Sequence, residues 1–137
     1  MTQDRNIETL KRCYAAWHDT RGGSVDAWLE IVSDDFSLRS MAGGRAGAEF
    51  TAARNSRDEL AGYLSSLTEA WEMEYYQVDR YIADDDMIVA LGSTSWINKS
   101  TGKRAESQKA DFWTFRDGKA VAFIEFYDSC ALVEAGT

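Results

Sequence analysis

The sequence contains no proline and only one histidine. Proline lacks the N–H group that a strand must donate, so its absence is compatible with long, uninterrupted strands. A Ser-His-Asp triad would have to be built around His18, and no nucleophile-elbow sequence is present. Because His18 lies beside Trp17, off the apolar stripe of its segment, we expect it to face solvent or a rim.

Cysteine and positive charge are also scarce. Two cysteines, Cys13 and Cys130, do not make a disulfide framework, so a reducing, cytoplasmic location is expected. Asp and Glu outnumber Lys and Arg by 23 to 15, and the net charge of −8 repels phosphate backbones and anionic lipid. No apolar run is long enough to cross a bilayer. We therefore expect neither a nucleic-acid nor a membrane partner.

No motif indicates a metal ion or a cofactor, and we expect neither. The glycine-rich stretch 43–47 lacks the Gly-Lys-Ser/Thr ending of a phosphate loop, and the acidic run 84–86 lacks the ligand spacing of a calcium loop. The densest basic group surrounds a predicted turn and is interpreted as a solvent-exposed rim; its members are Lys99, Lys103, Arg104 and Lys109.

Aromatic residues, in contrast, are abundant. Five Trp, six Tyr and six Phe occur in a chain of 137 residues that is 45% hydrophobic. This length is typical of one domain, so we predict a single domain over residues 1–137. The aromatic content exceeds what such a core requires, which favours an aromatic-lined binding site.

The first half of the chain has helical periodicity. Apolar residues at spacings of three and four predict a first helix, with Ile7, Leu10, Tyr14 and Trp17 on one face. A second helix is predicted over 25–32. A third begins after Ser56, where the pattern Ser-Arg-Asp-Glu is a capping box. A short strand over 36–39 separates the second and third helices.

The second half has the pattern of strands joined by short turns. Four runs, 73–83, 87–97, 104–116 and 119–127, predict an antiparallel meander, and Asp117-Gly118 is a strong hairpin turn. A short helical turn follows from Ser129. Helices grouped before strands indicate an α+β fold.

Two carboxylates lie among apolar residues of the last two strands. Alternation places Asp111 on one face with Lys109, Trp113 and Phe115. It places Glu125 on one face with Val121, Phe123 and Tyr127. Burial raises the pKa of a carboxyl group, which suits a general acid or a neutral hydrogen-bond donor. The alternative is a purely structural role, either bonded in the interior or exposed at a strand edge.

Several stretches resemble the nuclear transport factor 2-like superfamily, in its SnoaL-like and ketosteroid isomerase-like branch. The resemblance extends over nearly the whole chain, and the stretches that carry it are residues 10–17, 31–36, 111–115 with 117–119, and 126–128. The resemblance implies a cystatin-like α+β cone, with N-terminal helices packed in a curved antiparallel sheet around an apolar pocket. It also implies a homodimer through the outer sheet face, where we place Phe112, Phe126 and Trp96.

The resemblance also assigns candidate catalytic residues. Tyr14 and Asp111 match the oxyanion-hole tyrosine and aspartate of the ketosteroid isomerase branch. In that enzyme the aspartate is protonated and donates a hydrogen bond. The position of that branch's general base holds Ser40, which cannot shuttle a proton unaided. Glu125 matches a proton-transfer aspartate of the limonene epoxide hydrolase branch.

We therefore expect a small-molecule pocket protein with a small apolar or aromatic ligand. As an enzyme it would be an isomerase or cyclase acting by proton transfer on a carbonyl compound, with Tyr14, Asp111 and Glu125 as catalytic residues. The alternative is a non-catalytic ligand-binding or dimerisation module. The predicted pocket residues are Trp17, Trp28, Ser40, Trp71, Trp113 and Tyr127.

Overall fold

The computed structural model describes residues 2–137 and has the predicted α+β architecture. Three N-terminal helices pack against one face of a curved five-stranded sheet, and most buried side chains lie between these layers. The elements are α1 (Thr2–Asp19), α2 (Val25–Ile31), β1 (Val32–Ser40), a 3-10 helix (Glu49–Thr51), α3 (Arg57–Ala70), β2 (Trp71–Asp84), β3 (Met87–Asn98), β4 (Arg104–Arg116), β5 (Lys119–Tyr127) and α4 (Ser129–Ala135).

Local sequence explains where these elements begin and end. The Ser56 side chain accepts a hydrogen bond from the backbone N–H of Glu59 at 3.1 Å and caps α3. Asp117 and Gly118 both have positive φ, which is the conformation of a type I′ turn and confirms the predicted β4–β5 hairpin. The first helix packs its predicted stripe inward, with Leu10, Tyr14 and Trp17 all buried.

The sheet order is β1-β5-β4-β3-β2. Strands β2 to β5 form the predicted antiparallel meander, whereas β1 joins its edge in parallel with β5. β1 also begins earlier than predicted, at Val32. The sequence pattern misses this start because the register is irregular between Val32 and Ser37, where polar residues break the alternation. The irregularities in the pairing of β2 are of the kind that bend a strand.

One of these irregularities explains a glycine in β3. A side chain on Gly92 would place its Cβ only 1.8 Å from the carbonyl oxygen of Gln77. The register of β2 shifts just beyond this point, between Val78 and Arg80. Glycine therefore allows β2 and β3 to approach closely where the sheet bends.

The predicted outer face is correct for two aromatics and wrong for the third. Phe112 and Phe126 form an edge-to-face pair with ring centroids 5.1 Å apart, and Phe126 is 42% exposed. Trp96 instead points inward and is only 7% exposed. Its β4 partner is Ala105, and counting by twos from this pair reaches the pair Ala90 and Asp111, so Trp96 belongs to the inner face.

Candidate functional site

An apolar cavity of about 100 Å³ lies between the helices and the inner face of the sheet. Its wall is unusually aromatic, since it contains all five tryptophans of the chain, four of the six tyrosines and three of the six phenylalanines. Trp28 of α2 and Trp113 of β4 stack with ring centroids 5.4 Å apart and planes within 7° of parallel. The aromatic residues thus surround one space in the interior.

The structure brings five of the six predicted pocket residues to this cavity. Trp17, Trp28, Trp71, Trp113 and Tyr127 line it. Ser40 does not line the cavity. Its hydroxyl lies 2.5 Å from the Tyr127 hydroxyl, so Ser40 is buried behind that tyrosine and supports it from outside the pocket.

The three predicted catalytic residues lie close together on the cavity wall. The Tyr14 hydroxyl donates to Oδ2 of Asp111 at 2.6 Å, so α1 and β4 meet at this contact. Asp111 and Glu125 are direct partners across the β4–β5 ladder, and both carboxylates are buried. The indole N–H of Trp113 donates to the Tyr14 hydroxyl at 2.8 Å.

A buried lysine that sequence analysis assigned to the exposed rim joins the two carboxylates. Nζ of Lys109 lies 3.2 Å from Oδ1 of Asp111 and 3.3 Å from Oε2 of Glu125, and its side chain is only 9% exposed. The rim interpretation was wrong for Lys109, because Lys109 lies within β4 and alternation places it on the same face as Asp111. This alternation was the signal that could have identified it.

Two further tyrosines complete the polar cluster. Tyr76 of β2 donates to Oδ2 of Asp111 at 2.5 Å and accepts from Lys109 at 2.6 Å. Tyr63 of α3 donates to Oε1 of Glu125 at 2.5 Å. Neither tyrosine was among the predicted site residues, because their contacts cross 35 and 62 positions of the chain.

The arrangement makes Asp111 an acceptor. Two tyrosine hydroxyls donate to its Oδ2, and the ammonium of Lys109 lies beside its Oδ1, although not in hydrogen-bond geometry. The groups that contact its two carboxylate oxygens are thus two hydroxyl donors and one cation. This differs from the expected role of Asp111 as a neutral hydrogen-bond donor to a ligand.

The surroundings of Glu125 increase the proton affinity of its carboxyl group, which suits a catalytic base. Burial raises the pKa of its carboxyl group above the ordinary value, and this effect outweighs the lowering by Lys109. Burial lowers the pKa of Lys109, but the charges of Asp111 and Glu125 raise it to a net value above normal. Lys109 is therefore a cation at neutral pH, and the carboxyl group of Glu125 holds a proton more tightly than an exposed glutamate does.

The tyrosines of the cluster remain neutral. Burial, followed by the charge of Asp111, raises the pKa of Tyr14 and Tyr76 well above the ordinary value. Burial and then the charge of Glu125 do the same for Tyr63. These hydroxyls can therefore donate hydrogen bonds to the carboxylates throughout the physiological pH range.

The mouth of the cavity is marked by lining residues that also reach solvent. These are Phe50 of the 3-10 helix, Ser107 near the start of β4, and Tyr127 and Asp128 at the end of β5. The polar cluster thus borders a cavity that opens between the 3-10 helix and the C-terminal segment.

His18 has a structural role at the rim of α1. Its Nδ1 accepts a hydrogen bond from the backbone N–H of Tyr76 at 3.2 Å, which ties α1 to β2. His18 lies outside the cavity wall, in a separate surface groove.

Within residues 2–137, no cluster of His, Cys, Asp and Glu has the arrangement of a metal site. Over the same described part of the chain, no helix is long and apolar enough to cross a membrane.

Comparison with known proteins identifies both a family and a fold. The family model of the SnoaL-like domain matches residues 10–123. No curated protein matches the sequence. An NTF2-like protein from Burkholderia xenovorans has a TM-score of 0.81 and 21% identity, covering 98% of this chain and 97% of its own.

Two other similar structures were determined with small molecules. A protein with a ketosteroid isomerase-like fold from Catenulispora acidiphila, in complex with trimethylamine, has a TM-score of 0.76 and 12% identity, covering 94% of this chain and 92% of its own. TerC, co-crystallised with polyporic acid, has a TM-score of 0.78 and 19% identity, covering 96% and 98%.

Proposed function

The chain belongs to the SnoaL-like domain family, and we propose that it binds a small, largely apolar carbonyl compound and moves a proton on it. We also propose that residues 1–137 belong to one domain. The observation that carries the proposal is the position of Glu125, a buried carboxyl group beside the ammonium of Lys109 on the wall of an aromatic cavity.

The cavity wall supports the apolar part of this proposal. Ligand pockets are mostly apolar and aromatic, with few polar groups that orient the ligand. Here the five tryptophans provide the apolar wall, and the polar side chains cluster around Lys109. The trimethylamine and polyporic acid bound to proteins of similar fold support a small-molecule ligand for this chain as well.

The polar cluster supports proton transfer. Ionised Glu125 removes a proton from the carbon next to the carbonyl group. The C–H bonding electrons form the C=C bond of an enolate, and the carbonyl π electrons move to oxygen. In a β,γ-unsaturated carbonyl compound this enolate is a dienolate, and returning the proton from Glu125 to its γ-carbon shifts the C=C bond and gives the conjugated isomer. Returning the proton to the α-carbon gives the starting compound.

Lys109, which is hydrogen-bonded to Tyr76, provides the positive charge for this reaction. The ammonium lies 3.3 Å from Glu125 and bonds to the Tyr76 hydroxyl, so it stabilises negative charge that develops on an oxygen near Glu125. Asp111 and Tyr14 have a positioning role in this scheme. Asp111 balances the charge of Lys109, and Tyr14 fixes Asp111 from the opposite side.

A non-catalytic binding module is the second candidate. It is favoured by the closed hydrogen bonding of the cluster, in which the Tyr14, Tyr63 and Tyr76 hydroxyls all donate to carboxylates of the protein. Buried networks of this kind also occur for structural reasons. The outer face that carries half-buried Phe112 and exposed Phe126 is where we propose that a homodimer forms, and this surface serves either candidate.

Hydrogen exchange distinguishes the two candidates without knowledge of the natural substrate. Cyclohexanone, a one-ring ketone, is incubated with the protein in D2O, and loss of its α-protons is followed by 1H NMR. The proposal predicts that the wild type accelerates exchange and that Glu125→Gln abolishes the acceleration. The matched control is Glu106→Gln, an exposed residue of β4 outside the cavity, which should leave it intact. Binding of cyclohexanone without exchange would favour the non-catalytic module.

A further inference from the structure

The C-terminal helix α4 contributes one side chain to the cavity. Leu132 lines the wall and is only 9% exposed, whereas its neighbour Val133 packs against the core without lining the cavity. The segment leading into α4 supplies Asp128, one of the residues at the mouth. Leu132 is therefore the place where the C-terminal helix meets the ligand space.

Contacts to other parts of the chain hold helix α4 at both of its ends. Its last residue, Ala135, accepts a hydrogen bond from the Thr101 hydroxyl at 2.5 Å, which joins it to the turn before β4. On the other side Gly136 contacts the backbone of Gly47, and a Cβ at Gly136 would lie 1.9 Å from the Gly47 carbonyl oxygen. At its start, the backbone N–H of Asp128 donates to Ser107 at 2.8 Å.

The cavity below this helix is small. Its volume is about 100 Å³. An apolar cavity of roughly 150 Å³ accepts benzene, so the space available here corresponds to no more than one six-membered ring. The position of α4 consequently limits how far a ligand can extend toward the mouth.

We propose that Leu132 sets the size limit of the ligand, so that the protein selects one-ring over two-ring carbonyl compounds. This inference rests on the proposed function for the position of the ligand, but it concerns binding and not proton transfer. Leu132→Ala removes three carbon atoms from the wall and should admit a second ring. The side chain of Leu132 thus excludes larger ligands by occupying the space that their second ring needs.

The test compares binding of cyclohexanone and 1-tetralone, a one-ring and a two-ring ketone, by isothermal titration calorimetry. We expect the wild type to prefer cyclohexanone. In Leu132→Ala the dissociation constant of 1-tetralone divided by that of cyclohexanone should fall by at least about tenfold, since hydrophobic pockets discriminate roughly 10–200-fold per methylene. The control Val133→Ala, a truncation on the same helix outside the wall, should change the ratio by less than about twofold.

A second variant tests the same limit without truncating a side chain of the cavity wall. Gly136 has φ −83°, which alanine also adopts, so Gly136→Ala brings its Cβ into a steric clash with the backbone of Gly47 and displaces α4. Gly136→Ala should also lower the ratio of the 1-tetralone to the cyclohexanone dissociation constant. Circular dichroism checks that each variant is folded. If the folded variants keep the wild-type ratio, or if Val133→Ala shifts it equally, the inference is wrong. The ketone exchange assay with Glu125→Gln is independent of these ratios, so a failure of the proposed chemistry would be seen separately.

Discussion

Nζ of Lys109 lies 3.2 Å from Oδ1 of Asp111, two residues further along the same strand. Because alternate residues of a strand face the same side, this ion pair follows directly from the local sequence once β4 is placed. Glu125 on the neighbouring strand makes the cluster a triad with one positive and two acidic side chains. Removing the only positive member would leave two buried carboxyl groups without a counter-charge.

The first prediction follows from this imbalance. Lys109→Met should lower the free energy of unfolding at pH 7 by about 3–5 kcal/mol, because breaking a buried ion pair leaves uncompensated charge. Urea unfolding measures the difference. The matched control Lys103→Met, an exposed lysine in the turn before β4, should change stability by less than about 0.5 kcal/mol. Equal effects of the two substitutions would contradict the buried role of Lys109.

The second prediction concerns the pH dependence of stability. Burial raises the pKa of Glu125 above its ordinary value of 4.5, so the folded protein binds this proton more tightly than the unfolded chain. Ionisation of Glu125 therefore lowers the stability of the wild type as pH rises from 4.5 through the folded pKa. The stability of Glu125→Gln relative to the wild type should rise across this interval and then level off.

Glu74 provides a comparison of opposite sign. Hydrogen bonds from Arg104 and then Ser95 lower the pKa of Glu74 from 4.5 to about 2. Its stabilisation is present above 4.5 and is lost as pH falls through about 2. The stability of Glu74→Gln relative to the wild type should thus fall as pH rises from 2 to 4.5. Thermal unfolding of the three proteins over a pH series measures both slopes, and slopes of the same sign would refute the assignment for Glu125.

The third prediction tests the hydrogen bonds of Tyr14. Tyr14→Phe removes the donor to Asp111 and the acceptor for the Trp113 indole N–H, which should cost about 1–3 kcal/mol of stability. The indole N–H resonance of Trp113 should also move upfield in the 1H NMR spectrum. Tyr81→Phe, at a half-buried tyrosine near Tyr14, is the control and should leave that resonance in place. An unchanged Trp113 resonance in Tyr14→Phe would contradict the observed bond.

Much of the fold could be predicted because its patterns are local. Helical spacing placed Leu10, Tyr14 and Trp17 inward, and short turns defined the four-strand meander. The parallel pairing of β1 with β5 could not be predicted in this way, because it depends on where a long connection returns to the sheet. Trp96 was misplaced because alternation gives two faces, and only the register with β4 shows which face is inside.

The two carboxylates of the site were predictable from strand alternation, whereas Tyr14 of α1 was assigned through the family resemblance. Asp111 and Glu125 were found because each lies in a strand with apolar neighbours on its face. Tyr63 and Tyr76 were missed, since α3 and β2 carry no local pattern that points to a carboxylate far away in the sequence. Ser40 shows the opposite error, because a matching position in a family does not determine which side of Tyr127 the side chain occupies.

Glu125 is the residue that we propose moves a proton on a carbonyl compound in the cavity. The most direct test of this claim is the ratio of enzyme-dependent α-proton exchange rates of cyclohexanone in D2O for the wild type and Glu125→Gln. Positioned acid–base groups contribute about 10²–10⁴-fold, so we predict a ratio in that range, with Glu106→Gln equal to the wild type. A ratio near one, with both proteins folded and binding the ketone, would contradict the claim.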